Sequence, residues 1–184
     1  MSLTPITVIG IGKLGLGFAL LLAKHGFVVL GVDANAAYVE KLNSKTFVSH
    51  EPQYNELLQN TNRFTATTSL DHGLAFSNII FIIVQTPNGG GERFYDHTIL
   101  SNLLISINEK KPSHKNFIIG CTVMPKYIDE IGSELLRDCP DCYLSYNPEF
   151  VAQGDIVRGF ENPDIILVGS KNPDLKPILE NIYS

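Results

Sequence analysis

The stretch Ile6 to Gly15, Ile-Thr-Val-Ile-Gly-Ile-Gly-Lys-Leu-Gly, constrains this chain more than any other, because a short apolar run breaks there into Gly10-x-Gly12-x-x-Gly15. Leu14, Phe18, Leu21 and Leu22 follow at helical spacing. A β-type run, a glycine turn and a helix start, in that order, form the context in which a dinucleotide pyrophosphate is held by backbone N–H groups at the helix N-terminus. Gly10 allows the tight turn, Gly12 lets the backbone approach the phosphates, and Gly15 lets helix and strand pack closely. Ile11, Lys13 and Leu14 complete the expected cofactor turn, and a lysine beside a pyrophosphate is electrostatically favourable.

The glycine pattern is weak alone, and the second strand with its terminal acid strengthens it. The helix is expected to stop near Gly26, and Phe27 to Val32 reads as that second strand, closing on Asp33, 18 residues after Gly15. A carboxylate there accepts from ribose hydroxyls and repels a 2′-phosphate. With no Arg or Lys before Lys41, the expected cofactor is NAD rather than NADP. The competing reading of Asp33 is a turn or helix-cap residue.

Bulk properties exclude several classes. A chain of 184 residues, 44% hydrophobic and 18% charged, can bury one sizeable core. A net charge of −5 argues against nucleic acid, and Lys110, Lys111 and Lys115 make only a small basic loop. No apolar run approaches the ~20 residues of a membrane span, so no membrane partner is expected and a cytoplasmic location is; no metal is expected either, with one cysteine beside the Cys139–Cys142 pair and no His at ligand spacing. Three cysteines do not suggest a disulfide framework, and Cys139-Pro-Asp-Cys142 falls between a helix end and a strand, where thiol activation lacks a helix N-terminus.

Further along, helices are expected at Ala36 to Asn43, Tyr54 to Gln59, from a Ser69 cap through Ala75, and at Thr98 to Lys110. Another is expected from Pro125 with Ile128, Ile131 and Leu135 inward, and a last one capped by Asn172. Strands are expected at Phe64 to Thr67, Asn78 to Val84, Phe117 to Gly120, Cys142 to Tyr146 and Asp164 to Val168. The continuous apolar run after Asn78 marks a parallel strand covered on both faces. The alternation predicts an α/β fold, a doubly wound parallel sheet of the Rossmann type. Ligands of such sheets sit at the strands' C-terminal ends, which here carry Gly10 to Gly15, Asp33, Gln85-Thr86-Pro87, Cys121-Thr122 and Asn147-Pro148-Glu149.

With those pieces in order, together with Val84-x-Thr86-Pro87, Cys121-Thr122-Val123-x-Pro125 and Asn147-Pro148-Glu149-Phe150, the chain resembles the nucleotide-sugar dehydrogenases typified by UDP-glucose and GDP-mannose dehydrogenases. The likeness covers nearly all of it, with Leu42-Asn43, Glu51-Pro52, Thr67-Thr68 and Pro163-Asp164 as supporting pieces. The resemblance implies oxidation of the C6 alcohol of a nucleotide-linked sugar, a UDP-sugar first, to a carboxylate through an aldehyde and an enzyme thioester, with two NAD consumed and a place in polysaccharide biosynthesis. It implies that Thr86, Cys121, Thr122 and Gln153 lie beside the cofactor. Glu149 would be the base of the hydrolytic step, with Thr122 placing the water, and Glu149, Phe150, Val151, Ala152 and Gln153 would line the sugar.

Read without the resemblance, Glu149 is first a capping or surface acid, Thr122 equally a β-favouring residue bonded to the next helix, and Cys121 a small packing residue rather than a nucleophile. Three departures from the family pattern stand out. Gln153 occupies a second acid's place and cannot take a proton; Tyr38 replaces a basic residue beside Asp33; Lys13-Leu14 replaces a Tyr-Val pair. The family's nucleophilic cysteine, catalytic lysine and second domain have no counterpart before Ser184. The expected organisation is therefore an NAD-binding domain over residues 1–170, with 171–184 starting the connection to a central helix and C-terminal domain. The full-length enzyme would be a homodimer and the fragment a monomer. The alternatives are a 6-phosphogluconate or hydroxyacid-type dehydrogenase, and a non-catalytic NAD or nucleotide-sugar binding module.

Overall fold

The computed structural model describes residues 4–90, 94–152 and 154–183. Along the chain, β1 (Pro5–Ile9) leads through the glycine turn to α1 (Lys13–Lys24), followed by β2 (Val28–Val32), α2 (Ala36–Asn43), α3 (Tyr54–Asn60), β3 (Phe64–Thr67) and α4 (Leu70–Phe76). The second half holds β4 (Ile79–Ile82), α5 (Thr98–Lys110), β5 (Asn116–Ile119), a π-helical segment (Tyr127–Gly132) that runs into α6 (Ser133–Leu135), β6 (Tyr143–Tyr146), α7 (Ile156–Glu161) and α8 (Leu175–Ile182). The six strands form one parallel sheet in the order β3-β2-β1-β4-β5-β6. The winding direction reverses between β1 and β4, which opens a crevice at their C-terminal ends.

Side-chain alternation along the strands explains why both faces are covered. Ile79 and Phe81 of β4 join a core with Leu16, Phe18 and Leu20 of α1, Leu58 of α3, Phe160 of α7 and Leu175 and Leu179 of α8. Ile80 and Ile82 face the other way, onto Leu74 of α4, Leu100, Leu104 and Ile107 of α5, and Tyr127 and Leu136. A strand whose every side chain is apolar has no solvent face, and this is the signature the sequence carries at β4. Phe18 meets Phe81 edge-to-face at 4.8 Å, which locks α1 against the centre of the sheet. Local signals set the helix ends: Asn35 Oδ1 accepts from Tyr38 N at 3.1 Å to cap α2, Ser69 Oγ from His72 N at 3.2 Å to cap α4, and Gly26 takes a positive φ of 100° past the end of α1.

Four expectations are corrected. The run Asp164 to Val168 is not a strand; only Gly169 bridges Tyr146, antiparallel, and Ile165 to Val168 remain exposed. The Leu167 carbonyl there accepts from Asn147 Nδ2 at 3.0 Å. After Pro125 the chain forms the π-helical segment instead of a regular helix, so the buried residues are Tyr127, Gly132 and Leu136, spaced by five and four, and Ile131 is 49% exposed. Helix α7 has no counterpart among the expected elements. Asn172 does not cap α8 directly, since Asp174 holds that place; Asn172 is buried, accepting from Asp174 N at 3.0 Å and donating to Asn116 Oδ1.

Candidate cofactor and sugar site

Backbone bonds past the strand ends draw the expected residues onto one rim. Asp33 N donates to Thr67 O at 3.1 Å, Gly10 N to Val32 O at 2.8 Å, Ile83 N to Ile9 O at 2.8 Å, Gly120 N to Ile82 O at 2.9 Å, and Asn147 N to Ile119 O at 2.9 Å. The glycine turn, Asp33, the segment leading to Thr86, Cys121-Thr122 and Asn147-Pro148-Glu149 all extend from this rim. Ile119 is paired with Tyr146, so Thr122 and Glu149 each lie three residues beyond one matched pair.

The glycine turn is shaped for a ligand at one position and for packing at two. A Cβ on Gly15 would lie 2.0 Å from Gly10 O, and one on Gly10, where φ is +86°, would lie 2.5 Å from Ile83 O. A Cβ on Gly12, the residue capping α1, would meet nothing within 4 Å. Open space at the N-terminus of a twelve-residue helix, with no side chain intruding, is what a pyrophosphate requires. The residues present therefore fit a dinucleotide.

Two tyrosines clasp this turn from outside. Tyr38 Oη donates to Ile11 O at 2.8 Å and Tyr54 Oη to Lys13 O at 2.7 Å. Both phenols are held protonated, well above the usual tyrosine range, by burial first; Asp33 adds to this at Tyr38, and Glu51 at Tyr54. Tyr38 thus stands beside Asp33, where a basic residue is the family expectation, and it braces the turn instead of charging it. Asp33 Oδ1 accepts from Asn35 N at 3.0 Å, so the turn role weighed from sequence is present alongside the strand-end placement.

Lys13 Nζ reaches Glu51 Oε1 at 2.8 Å. The Lys13 side chain is 54% exposed and that of Glu51 only 3%. The same carboxylate accepts from Gly154 N at 3.1 Å and 3.0 Å through its two oxygens. Lys13's hydrogen bond holds the Glu51 carboxyl below the usual range against the opposing effect of burial, and the backbone at Gly154 and Ile156 adds to the lowering.

On the far side of the rim, burial pushes the Glu149 carboxyl up to about 8. The one O–H of Tyr183, just past α8, is shared between Asn147 Oδ1 at 2.7 Å and Glu149 Oε1 at 3.3 Å, and its bond to Glu149 partly counters the rise. A carboxyl so placed exchanges a proton near neutrality, as acid–base chemistry on a bound water requires. Thr122 is exposed and Thr86 half-buried. Cys121 is buried, its thiol pushed to about 11 by desolvation, in keeping with a packing role. Burial also raises the Cys139 and Cys142 thiols, opposite to thiolate chemistry. Of the expected sugar-lining residues, Phe150 is 58% exposed and Ala152 is exposed, Val151 packs against Gly159 of α7, and Gln153 lies outside the described residues. Among the described residues no His, Cys, Asp and Glu cluster could hold a metal.

Sequence reasoning missed the site roles of Tyr54, Glu51 and Tyr183. Each acts over 34 to 103 positions of chain, beyond any local pattern. The only sequence signals were Glu51-Pro52 as a shared piece and an aromatic at the start of α3.

A parallel sheet with a glycine-rich turn, a strand-end acid and a buried carboxyl on one rim defines a dinucleotide-binding oxidoreductase domain. The profile of the UDP-glucose/GDP-mannose dehydrogenase family, NAD binding domain, matches residues 4–184, and the chain belongs to that family. It is 27% identical to GDP-mannose 6-dehydrogenase of Pseudomonas aeruginosa over 97% of this chain and 43% of that protein. It is 29% identical to UDP-glucose 6-dehydrogenase of Rickettsia felis over 97% and 40%. Among solved structures, a ternary complex of GDP-mannose dehydrogenase from Pseudomonas aeruginosa superposes with a TM-score of 0.87 at 25% identity, covering 97% of this chain and 43% of that one. The chain spans about two fifths of the length of these relatives. Its cofactor is NAD.

Proposed function

We propose that this chain is the cofactor-holding part of a nucleotide-sugar 6-dehydrogenase that converts a sugar C6 alcohol to a carboxylate with two NAD per sugar. The observation that carries the reading is the placement of Glu149, a desolvated carboxyl poised near neutrality, on the same strand-end rim as the glycine turn. NAD, when bound, supplies the two-electron oxidant. Gly10 to Gly15 offer backbone N–H groups to its pyrophosphate, Asp33 accepts from its ribose, and Thr86, Cys121 and Thr122 border it. Glu149 in its ionised form takes the proton of the water that hydrolyses the thioester left by the second oxidation, and Thr122 helps to place that water. Phe150 to Gln153 border the sugar, a UDP-sugar or GDP-sugar, and the nucleophile of the thioester step comes from sequence outside this chain. The location is cytoplasmic and the complete enzyme a homodimer.

Two measurements test this. Calorimetry of the 184-residue chain should give NAD binding at about millimolar affinity or tighter, and neither heat nor thermal shift at about 5 mM NAD overturns the cofactor role. The polypeptide encoded by the complete reading frame should yield two NADH per UDP-glucose or GDP-mannose consumed. NAD binding without turnover of any nucleotide sugar selects the second reading, a non-catalytic binding module, which Gln153 in an acid's place favours.

A further inference from the structure

The Glu51 side chain is only 3% exposed, and no step of the proposed chemistry uses it. Its position in the connection between α2 and α3 is fixed from several sides. Its own N–H donates to Ser49 Oγ at 3.0 Å, and three residues on Tyr54 opens α3. This one turn grips Lys13 at both ends, through Tyr54 Oη on its carbonyl and through the Glu51 carboxylate on its ammonium. Both oxygens of that carboxylate, including the one that Lys13 meets, accept from the Gly154 amide just ahead of α7. Lys13 sits in the glycine turn where a pyrophosphate would bind. Gly154 is five residues from Glu149.

From this geometry we infer that Glu51 is a positioning residue that couples occupancy of the glycine turn to the backbone at Gly154, just ahead of α7. The coupling rests on the proposed cofactor role of that turn. Lys13 and Glu51 neutralise one another across 2.8 Å. An anion arriving at the turn competes for the same ammonium, and whatever Lys13 gives to the anion it withdraws from Glu51. The Glu51 carboxylate, with less cationic compensation, then draws harder on the backbone donors facing it, the Gly154 N–H above all. Cofactor binding thus tightens the Gly154 anchor ahead of α7, five residues from Glu149. The link runs through a shared ion pair and a charge-assisted hydrogen bond, with no domain movement.

Glu51→Gln tests the link, since glutamine keeps the shape and can still accept from Gly154 but cannot pair with Lys13. In the 184-residue chain, amide exchange of Gly154 is read by NMR with and without saturating NAD, alongside calorimetry and thermal unfolding of each protein. Saturation with NAD should slow Gly154 exchange by about fivefold or more in the wild-type protein. In folded Glu51→Gln, NAD should still bind and the Gly154 response should vanish. Lys13→Met, which breaks the pair from its other end, should abolish the response equally. NAD binding with Gly154 unmoved in the wild-type protein overturns the inference and leaves the cofactor reading standing. A response that persists in Glu51→Gln, even with lowered stability, reduces Glu51 to a structural strut and overturns it as well. Absence of NAD binding in the wild-type protein overturns the cofactor reading itself, and the inference with it.

Discussion

Tyr183 and Glu149 meet at 3.3 Å, so the last helix closes onto the strand-end rim instead of leading away from it. The same hydroxyl donates to Asn147 Oδ1 at 2.7 Å, and Leu175 and Leu179 of α8 are buried in the core beneath. Removing the hydroxyl while keeping the ring isolates its effect. Tyr183→Phe takes away the hydrogen bond that favours the ionised carboxyl, so the Glu149 pKa should climb above its value of about 8, by less than about one unit. A carbon-detected NMR titration of the Glu149 carboxyl measures it; an unchanged or lower midpoint removes Tyr183 from the account.

Glu149 also links stability to pH. Its folded pKa of about 8 lies above the ordinary value of 4.5, so the folded state binds the proton more tightly than the unfolded state. The resulting stabilisation is complete below about pH 4.5 and is lost as pH rises through about 8, with a slope of at most about 1.4 kcal/mol per pH unit. Glu149→Gln should flatten that slope, so that urea unfolding finds the variant gaining on the wild-type protein as pH goes from 5 to 8. Parallel curves across this range would show that Glu149 is not desolvated.

Asp33 has two jobs, one in the turn and one toward the ribose, and substitution separates them. Asp33→Asn keeps an oxygen for Asn35 N, so thermal unfolding should move by no more than about one or two degrees. It loses the charge that strengthens ribose hydrogen bonds, which should weaken NAD about tenfold by calorimetry and narrow the preference over NADP. Equal NAD affinity in the two proteins would leave Asp33 as a turn residue alone.

At Gly15 two effects oppose one another and their sizes decide the sign. Alanine gains about 1 kcal/mol of helix propensity over glycine. Its Cβ would stand 2.0 Å from Gly10 O, a backbone atom in the sheet-anchored turn that cannot swing aside, and such overpacking costs about 3 kcal/mol or more. Gly15→Ala should therefore be destabilised by about 2 kcal/mol or more, seen in thermal unfolding as a fall in Tm of about 2–4 °C for each.

The alternation of strands and helices was legible because it is local. A run such as Ile79 to Ile82 declares a covered strand within four residues, and the Ser69 cap declares a helix start within four more. What sequence reading lost depends on partners far along the chain. Ile165 to Val168 has the apolar, β-branched character of a strand, but a strand exists only where a neighbour offers a ladder, and here the pairing with β6 is the single bridge of Gly169 to Tyr146. The π-helical turn shifts the buried face from Ile131 to Gly132, where a Cβ would lie 2.5 Å from Leu144; no spacing rule for ordinary helices anticipates that. At the site, strand-end position singled out Asp33, Thr122 and Glu149. The tyrosines and the acid that brace the turn entered only with the fold, because nothing near them in sequence marks them.

The space beside Gly12 bears on how such a motif survives in time. Gly10 and Gly15 are held by atoms of the protein itself, whereas Gly12 has an extended backbone with a negative φ of −62° and its missing side chain touches nothing. A lineage selected only to fold would keep the outer two glycines and let the middle one drift. The middle glycine is the one of the three whose bareness the surrounding protein does not itself require.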